Sequence, residues 1–144
     1  MNQLPPLVRD QRKIDADHLK LLSIFHFVGT GLAVLGMLFL LAHFALFHAF
    51  LDNPKMWENQ KQGPPPAELF AMFKWFYAIF GLWFAGSGVL NLISAFCLRA
   101  KKHRTFSLIV AAINCVHIPL GTVLGVFTII VLIRDSVREL YEAS

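Results

Sequence analysis

Histidines set inside apolar sequence are the residues of this 144-residue chain most able to do chemistry. His26, His43, His48 and His117 each lie in a long hydrophobic run. An imidazole in such a place can ligate haem iron, relay a proton or anchor a hydrogen-bonded network. A haem pair needs axial ligands on opposite faces of one ring, at one membrane depth. Counted along straight helices from the flanking basic residues, His26 and His117 lie roughly 9 and 20 Å deep and do not match. His43 and His48 are five residues apart and point to different helix faces. No compact run of cysteine, histidine and acid has the spacing of a zinc site. No metal and no cofactor is assigned.

The polar residues that accompany these histidines are unevenly spread. Thr30 lies at roughly 15 Å on the same count, and Ser94, Asn91 and Ser87 lie at roughly 8, 12 and 18 Å from Arg99. Asn114 comes at roughly 15 Å from Arg104. His26, Thr30, Ser87, Asn91, Ser94, Asn114 and His117 therefore gather from three helices into one half of the apolar layer. Unpaired polar groups are costly in hydrocarbon, which implies a hydrogen-bonded cluster centred on His26, Asn91 and Asn114. Interhelical glue is the plainest role for it. A small-ligand site (lipid, quinone or haem) or a path for protons or ions is the alternative. No Ser-His-Asp arrangement, phosphate-cradling glycine loop or paired intramembrane carboxylate is present, so no enzyme is expected.

The elements that must position these residues are three apolar stretches, Leu21–Leu51, Trp75–Leu98 and Thr105–Ile133. Each exceeds the roughly 20 residues an α-helix needs to cross a bilayer. Hydrophobic residues make up 56% of the chain and charged ones 15%, too apolar a balance for a soluble domain of this size. The expected fold is an all-α integral membrane protein, one transmembrane domain with its partner the lipid bilayer. A polar segment (1–20), an outer loop (52–67) and a polar tail (134–144) complete it. The net charge of +4 sits beside the spans, which fits orientation and not nucleic acid. Arg9, Arg12, Lys13 and Lys20 precede the first span, and Arg99, Lys101, Lys102 and Arg104 join the second to the third. By the positive-inside rule both segments face the cytoplasm. Asn53-Pro54 and Gly63-Pro64-Pro65-Pro66 mark the outer loop as irregular.

The third stretch admits two readings. As one helix it would be about 43 Å long, overshooting a hydrocarbon core of about 30 Å and therefore tilted or protruding. Yet Pro119 removes a helical donor and Gly121 loosens the backbone, which kinks or breaks it there. A kinked third span is the first reading; a helix–break–helix hairpin, making four helices, is the alternative. Beyond it, Ser136-Val137-Arg138-Glu139 has a capping-box pattern and a short polar helix is expected. Small residues at helical spacing suggest how the helices meet: Gly29, Ala33 and Gly36, then Gly81, Ala85 and Gly88, then Gly121 and Gly125. Such faces permit close approach in lipid, within this chain or between copies. A homo-oligomer or a larger membrane complex is thus a possible assembly. Phe44, Phe47 and Phe50, and across the loop Phe70, Phe73, Trp75, Phe76 and Tyr77, look like interfacial anchors.

The run Asp17-His18-Leu19-Lys20-Leu21-Leu22-Ser23-Ile24-Phe25-His26-Phe27 and the run Pro119-Leu120-Gly121-Thr122-Val123-Leu124-Gly125-Val126-Phe127-Thr128 together resemble a family of small bacterial inner-membrane proteins. The resemblance covers both ends of the chain. It implies a multi-pass protein of the bacterial inner membrane and carries no assigned activity. An accessory, scaffolding or oligomer-forming role is the function expected.

Overall fold

A computed structural model of the chain describes residues 6–58 and 67–142; the Gly63–Pro66 element and the 1–5 and 143–144 ends lie outside these. The described residues form five α-helices and one 3₁₀ turn, with no strand among them. Helix α1 is Pro6–Leu51, α2 Ala67–Ala100, α3 Arg104–Asn114, α4 Leu120–Ile133 and α5 Asp135–Glu142. The 3₁₀ turn, Pro54–Met56, follows Asn53, whose side-chain oxygen accepts from the Lys55 amide at 3.2 Å. Two helices, α1 and α2, are long and apolar enough to cross a membrane. Helix α1 has 46 residues and runs unbroken through the polar N-terminal segment. At 1.5 Å per residue it is about 69 Å long, so much of it extends beyond any bilayer core.

The third apolar stretch is not one helix. It stops at Asn114, turns through 115–119 and restarts at Leu120. Its two halves pack antiparallel: Arg104 Nε, at the start of α3, donates to the Leu132 carbonyl near the end of α4 at 2.7 Å. Of the two readings of the sequence, the hairpin is the one this chain adopts, and the single kinked helix is replaced by pieces of 11 and 14 residues. These are about 16 and 21 Å long, too short to cross a core of about 30 Å singly. Pro119 cannot continue α3, and the turn supplies its own acceptors. The amides of Cys115, Val116, His117 and Ile118 bond the carbonyls of Ala111, Ile113, Asn114 and Val116 at 2.9–3.1 Å. Thr122 Oγ1 closes the turn onto the Cys115 carbonyl at 2.8 Å.

The hairpin depends on Gly121 and Gly125. A Cβ on Gly125 would strike the Ala111 carbonyl and lie 2.9 Å from the Cys115 amide nitrogen. One on Gly121 would lie 2.7 Å from the Asn114 carbonyl. These obstacles are backbone and cannot rotate away, so the GxxxG serves a contact inside this chain. Beyond Arg134 the path bends by 74° into α5. Ser136 does not cap that helix, as the sequence pattern suggested; its hydroxyl donates to the Asp15 carboxylate on α1.

The contacts divide the chain into two compact units, residues 1–31 with 87–144, and residues 32–86. The first has a core of Leu19, Leu22, Leu98, Val131, Leu132 and Val137, drawn from α1, α2, α4 and α5. Arg134, Ser136 and Gln11 converge on the wholly buried Asp15, and Arg12 pairs with Glu139 at 3.1 Å. These contacts fasten the tail to the polar part of α1. In the second unit the Phe84 ring occupies the space beside Gly36, while Gly81 makes ordinary contact with Leu40. Ala33 is buried there and Ala85 is exposed, so Ala85 is not part of a closed small-residue face. His43 Nδ1 and the Tyr77 hydroxyl meet at 2.6 Å among Phe44, Phe47 and Phe73.

Candidate functional site

Four helices of the first unit each contribute one polar side chain to a single point: His26 from α1, Asn91 from α2, Asn114 from the last turn of α3, and Thr128 from α4. His26 and Thr128 have no exposed surface, and Asn91 and Asn114 retain 5% and 4%. The placement follows from helix periodicity. In α3 the buried residues are Ser107, Val110, Ala111 and Asn114, and in α4 they include Gly125, Thr128 and Val131, one face of each helix.

Asn91 organises the cluster. Its amide nitrogen donates to the Ser87 carbonyl at 2.9 Å and to Asn114 Oδ1 at 3.0 Å. Its oxygen accepts from Asn114 Nδ2 at 2.8 Å and faces His26 Nδ1 at 2.8 Å. Both donors and both acceptor sites of the amide are thereby filled. The Ser87 carbonyl also fixes which way the amide points, since only the NH₂ end can face it. Asn91 Oδ1 then lies against the imidazole, so Nδ1 carries the hydrogen and donates. Nε2, the other ring nitrogen, faces Thr128 Oγ1 at 3.3 Å. The Thr128 hydroxyl also reaches the Leu124 carbonyl of its own helix at 2.7 Å. Its one hydrogen serves either Leu124 or Nε2. When it serves Leu124, the hydroxyl lone pairs are turned to accept from a protonated ring.

Of the seven polar residues singled out in the sequence, His26, Asn91 and Asn114 are brought into direct contact. Thr30 lies one turn along, donating to the carbonyls of His26 and Gly88 at 3.1 and 3.4 Å. Ser87 contributes its carbonyl. Ser94 is wholly buried and its hydroxyl has no partner among the described residues. His117 is outside the cluster: it lies in the hairpin turn, its Nδ1 against the Ile113 carbonyl at 3.3 Å. Gly29 lies beside the cluster, where a Cβ would come 3.6 Å from Asn91 Oδ1.

Two buried polar residues of this unit were not in the expected set. Ser23, wholly enclosed between α1 and α2, donates to the Ala95 carbonyl at 2.9 Å. Thr128 is the second, and its signal was the depth of a threonine counted back from Arg134 along a returning hairpin. The arrangement joins four helices by mutually satisfied polar groups in a closed environment, and it places one titratable ring at the junction. The chain matches no family model, no curated protein and no solved structure.

Proposed function

We propose that this chain is a multi-pass protein of the bacterial inner membrane, N-terminus cytoplasmic, with an accessory or scaffolding role in the bilayer. In this reading α1 and α2 cross the membrane, while α3 and α4 enter from the cytoplasmic face and return to it. The His26–Asn91–Asn114–Thr128 cluster locks that re-entrant hairpin to the two crossing helices. One observation carries the reading: each hydrogen-bonding position of the Asn91 amide is filled by another member or by its own helix. A binding or conducting site would keep such positions for its cargo. The wide apolar exterior, including Phe39, Trp75 and Leu82, each more than 70% exposed, suits lipid or a membrane-embedded partner.

The test is water access. In a background lacking Cys97 and Cys115, Thr128→Cys places a thiol in the cluster, and Ser94→Cys a second buried thiol one turn along α2 from Asn91, in the full-length protein in vesicles. A lock predicts no modification by small charged thiol reagents from either side. Rapid modification would show a wet path and reverse the assignment.

The rotatable Thr128 hydroxyl favours a second reading, reversible proton binding at His26. The ring can take a proton at Nε2 and donate it to Thr128 while Nδ1 stays bonded to Asn91. Nitrogen-15 NMR of the imidazole across pH separates the readings, since a purely structural ring keeps one tautomer throughout.

A further inference from the structure

Where the α2–α3 loop meets α5, within the first unit, an open cavity of about 390 Å³ is lined by cations from two parts of the sequence. Lys101, Lys102 and Arg104 come from the loop and the start of α3, and Arg138 from α5. This is within the volume range of small-molecule sites, about 300–1,000 Å³. One lining carboxylate among the described residues answers them, and it is already engaged: Glu142 pairs with Arg138 at 3.0 Å. Among the described residues, Lys101, Lys102 and Arg104 have no acid within ion-pair distance. The Arg104 guanidinium is held by Nε to the Leu132 carbonyl, which leaves its two terminal nitrogens for another acceptor.

The backbone adds no net positive potential, because the negative end of the α2 dipole and the positive end of the α3 dipole meet at this loop and offset each other. Helix α2 ends with Lys102 N bonded to the Cys97 carbonyl and Lys101 N to the Leu98 carbonyl, and Lys101 stands left-handed at φ 53°. Glycine is the residue that enters this position without strain. The chain instead carries a lysine there, beside the cavity. His103 is left-handed too, and its side chain does not cap α3, so the first amides of that helix have no side-chain acceptor at the loop.

Tyr141 supplies the complementary neutral donor. It lines the same cavity, and its hydroxyl oxygen is enclosed without a partner among the described residues. Burial pushes its ionisation up to about 12, with Cys97 adding to the rise and Arg104 opposing it. The group is therefore an O–H donor throughout the physiological range.

We propose that this cavity is a binding site for a phosphate group, which in the membrane is the headgroup of an anionic phospholipid. Two ammonium groups, a guanidinium and a phenol would supply donors to phosphate oxygens, and among the described residues no free carboxylate opposes them. The loop lies on the side that the basic residues assign to the cytoplasm, where an anionic leaflet attracts such a cluster. Assignment to a lipid rests on the membrane reading above; assignment to phosphate rests on the cavity alone.

Native mass spectrometry of the full chain in a mild detergent tests both parts. Phosphatidylglycerol, phosphatidylcholine and inorganic pyrophosphate are added separately to the protein and to Lys101→Gln/Lys102→Gln. Phosphatidylglycerol is expected to be retained over phosphatidylcholine, and the double variant to weaken it roughly 30-fold. Pyrophosphate binding that the variant weakens, without preference between the lipids, supports the phosphate site and assigns it to a soluble anion. Equal retention of all probes by both proteins overturns the proposal. So does an equal loss from Lys55→Gln/Lys74→Gln, which removes the same charge from the second unit. Tyr141→Phe keeps the packing and removes only the donor, so it decides the matter should the double variant fail to fold. It is expected to bind severalfold more weakly, and unchanged binding overturns the donor set.

Discussion

Replacing Asn91 by leucine removes the partner of two other helices at once, and the size of the effect can be worked from the geometry. Asn91 and Asn114 share two reciprocal bonds, at 2.8 and 3.0 Å, and of these two side chains Asn91 is the one that bonds His26. Interhelical hydrogen bonds inside membrane proteins are worth about 0.6 kcal/mol on average and about 1.7 at most, because the unfolded helices also find partners. The reciprocal pair is then worth about 1.2 to 3.4 kcal/mol on that scale. Asn91→Leu, which loses three interhelical bonds, is expected to destabilise by about 2 to 5 kcal/mol. Asn114→Leu should cost less by one bond. The double variant counts the shared pair once, so the two single effects should exceed it by at least about 1 kcal/mol.

Reversible unfolding of the full chain in mixed micelles, followed by circular dichroism, measures all four corners of this cycle. Leu92→Ala, at a position 37% exposed next to Asn91, serves as the reference for a change outside the cluster. Strict additivity, or an Asn114 effect larger than the Asn91 effect, would refute the reciprocal pair and with it the hinge of the structural reading.

Four other outcomes are expected. Gly125→Leu should abolish the α3–α4 hairpin, seen as lost protease resistance, whereas Gly31→Leu, with nothing within 4 Å of its Cβ, should be tolerated. Ile118→Lys puts a charge at the hairpin tip; with the tip near the bilayer centre it should reduce insertion by about 3 kcal/mol in a translocon assay. A negligible effect there would place the tip in water. Asp15→Leu removes the acceptor of Arg134 and Ser136, so α5 should lose amide-exchange protection by about 1–3 kcal/mol while the cluster is unchanged. Tyr141 ionises more readily unfolded, near 10, than folded, at about 12, so stability should fall as pH rises through that window. Tyr141→Phe should flatten the fall, and an unaltered profile would show that the hydroxyl is not buried.

The long apolar helices α1 and α2 were legible because hydropathy over more than 20 residues leaves few alternatives. The meeting of His26, Asn91 and Asn114 was legible too, since depth counted from flanking charges placed them within a few ångströms. The reversal at 115–119 was not, because proline and glycine mark a break without saying which way the chain leaves it. That ambiguity hid Thr128. On a single helix starting at Arg104 it lies about 36 Å from the basic end, but counted back from Arg134 on a hairpin it lies about 9 Å in, level with His26. Asp15 was hidden for another reason: its partners Arg134 and Ser136 are more than 115 residues away, and an acid in a polar segment reads as solvated.

The hairpin tip and the polar cluster are two halves of one physical requirement. Val116, Ile118 and Leu120 are 67–85% exposed at the turn, a surface that fits hydrocarbon and would be costly in water. A turn placed in hydrocarbon must satisfy its own backbone, and here the amides of residues 115–118 and the carbonyl of Cys115 find partners within the hairpin. Lipid provides no hydrophobic drive to press such a short hairpin against its neighbours. Close approach at Gly121 and Gly125 makes the hairpin itself compact, but it does not join the hairpin to α1 or α2. The polar bonds do: Asn114 reaches α2, Thr128 reaches α1, and Asn91 and His26 join those two to each other. In the proposed topology, four polar residues in an apolar layer are thus what holds the hairpin in place where burial alone cannot.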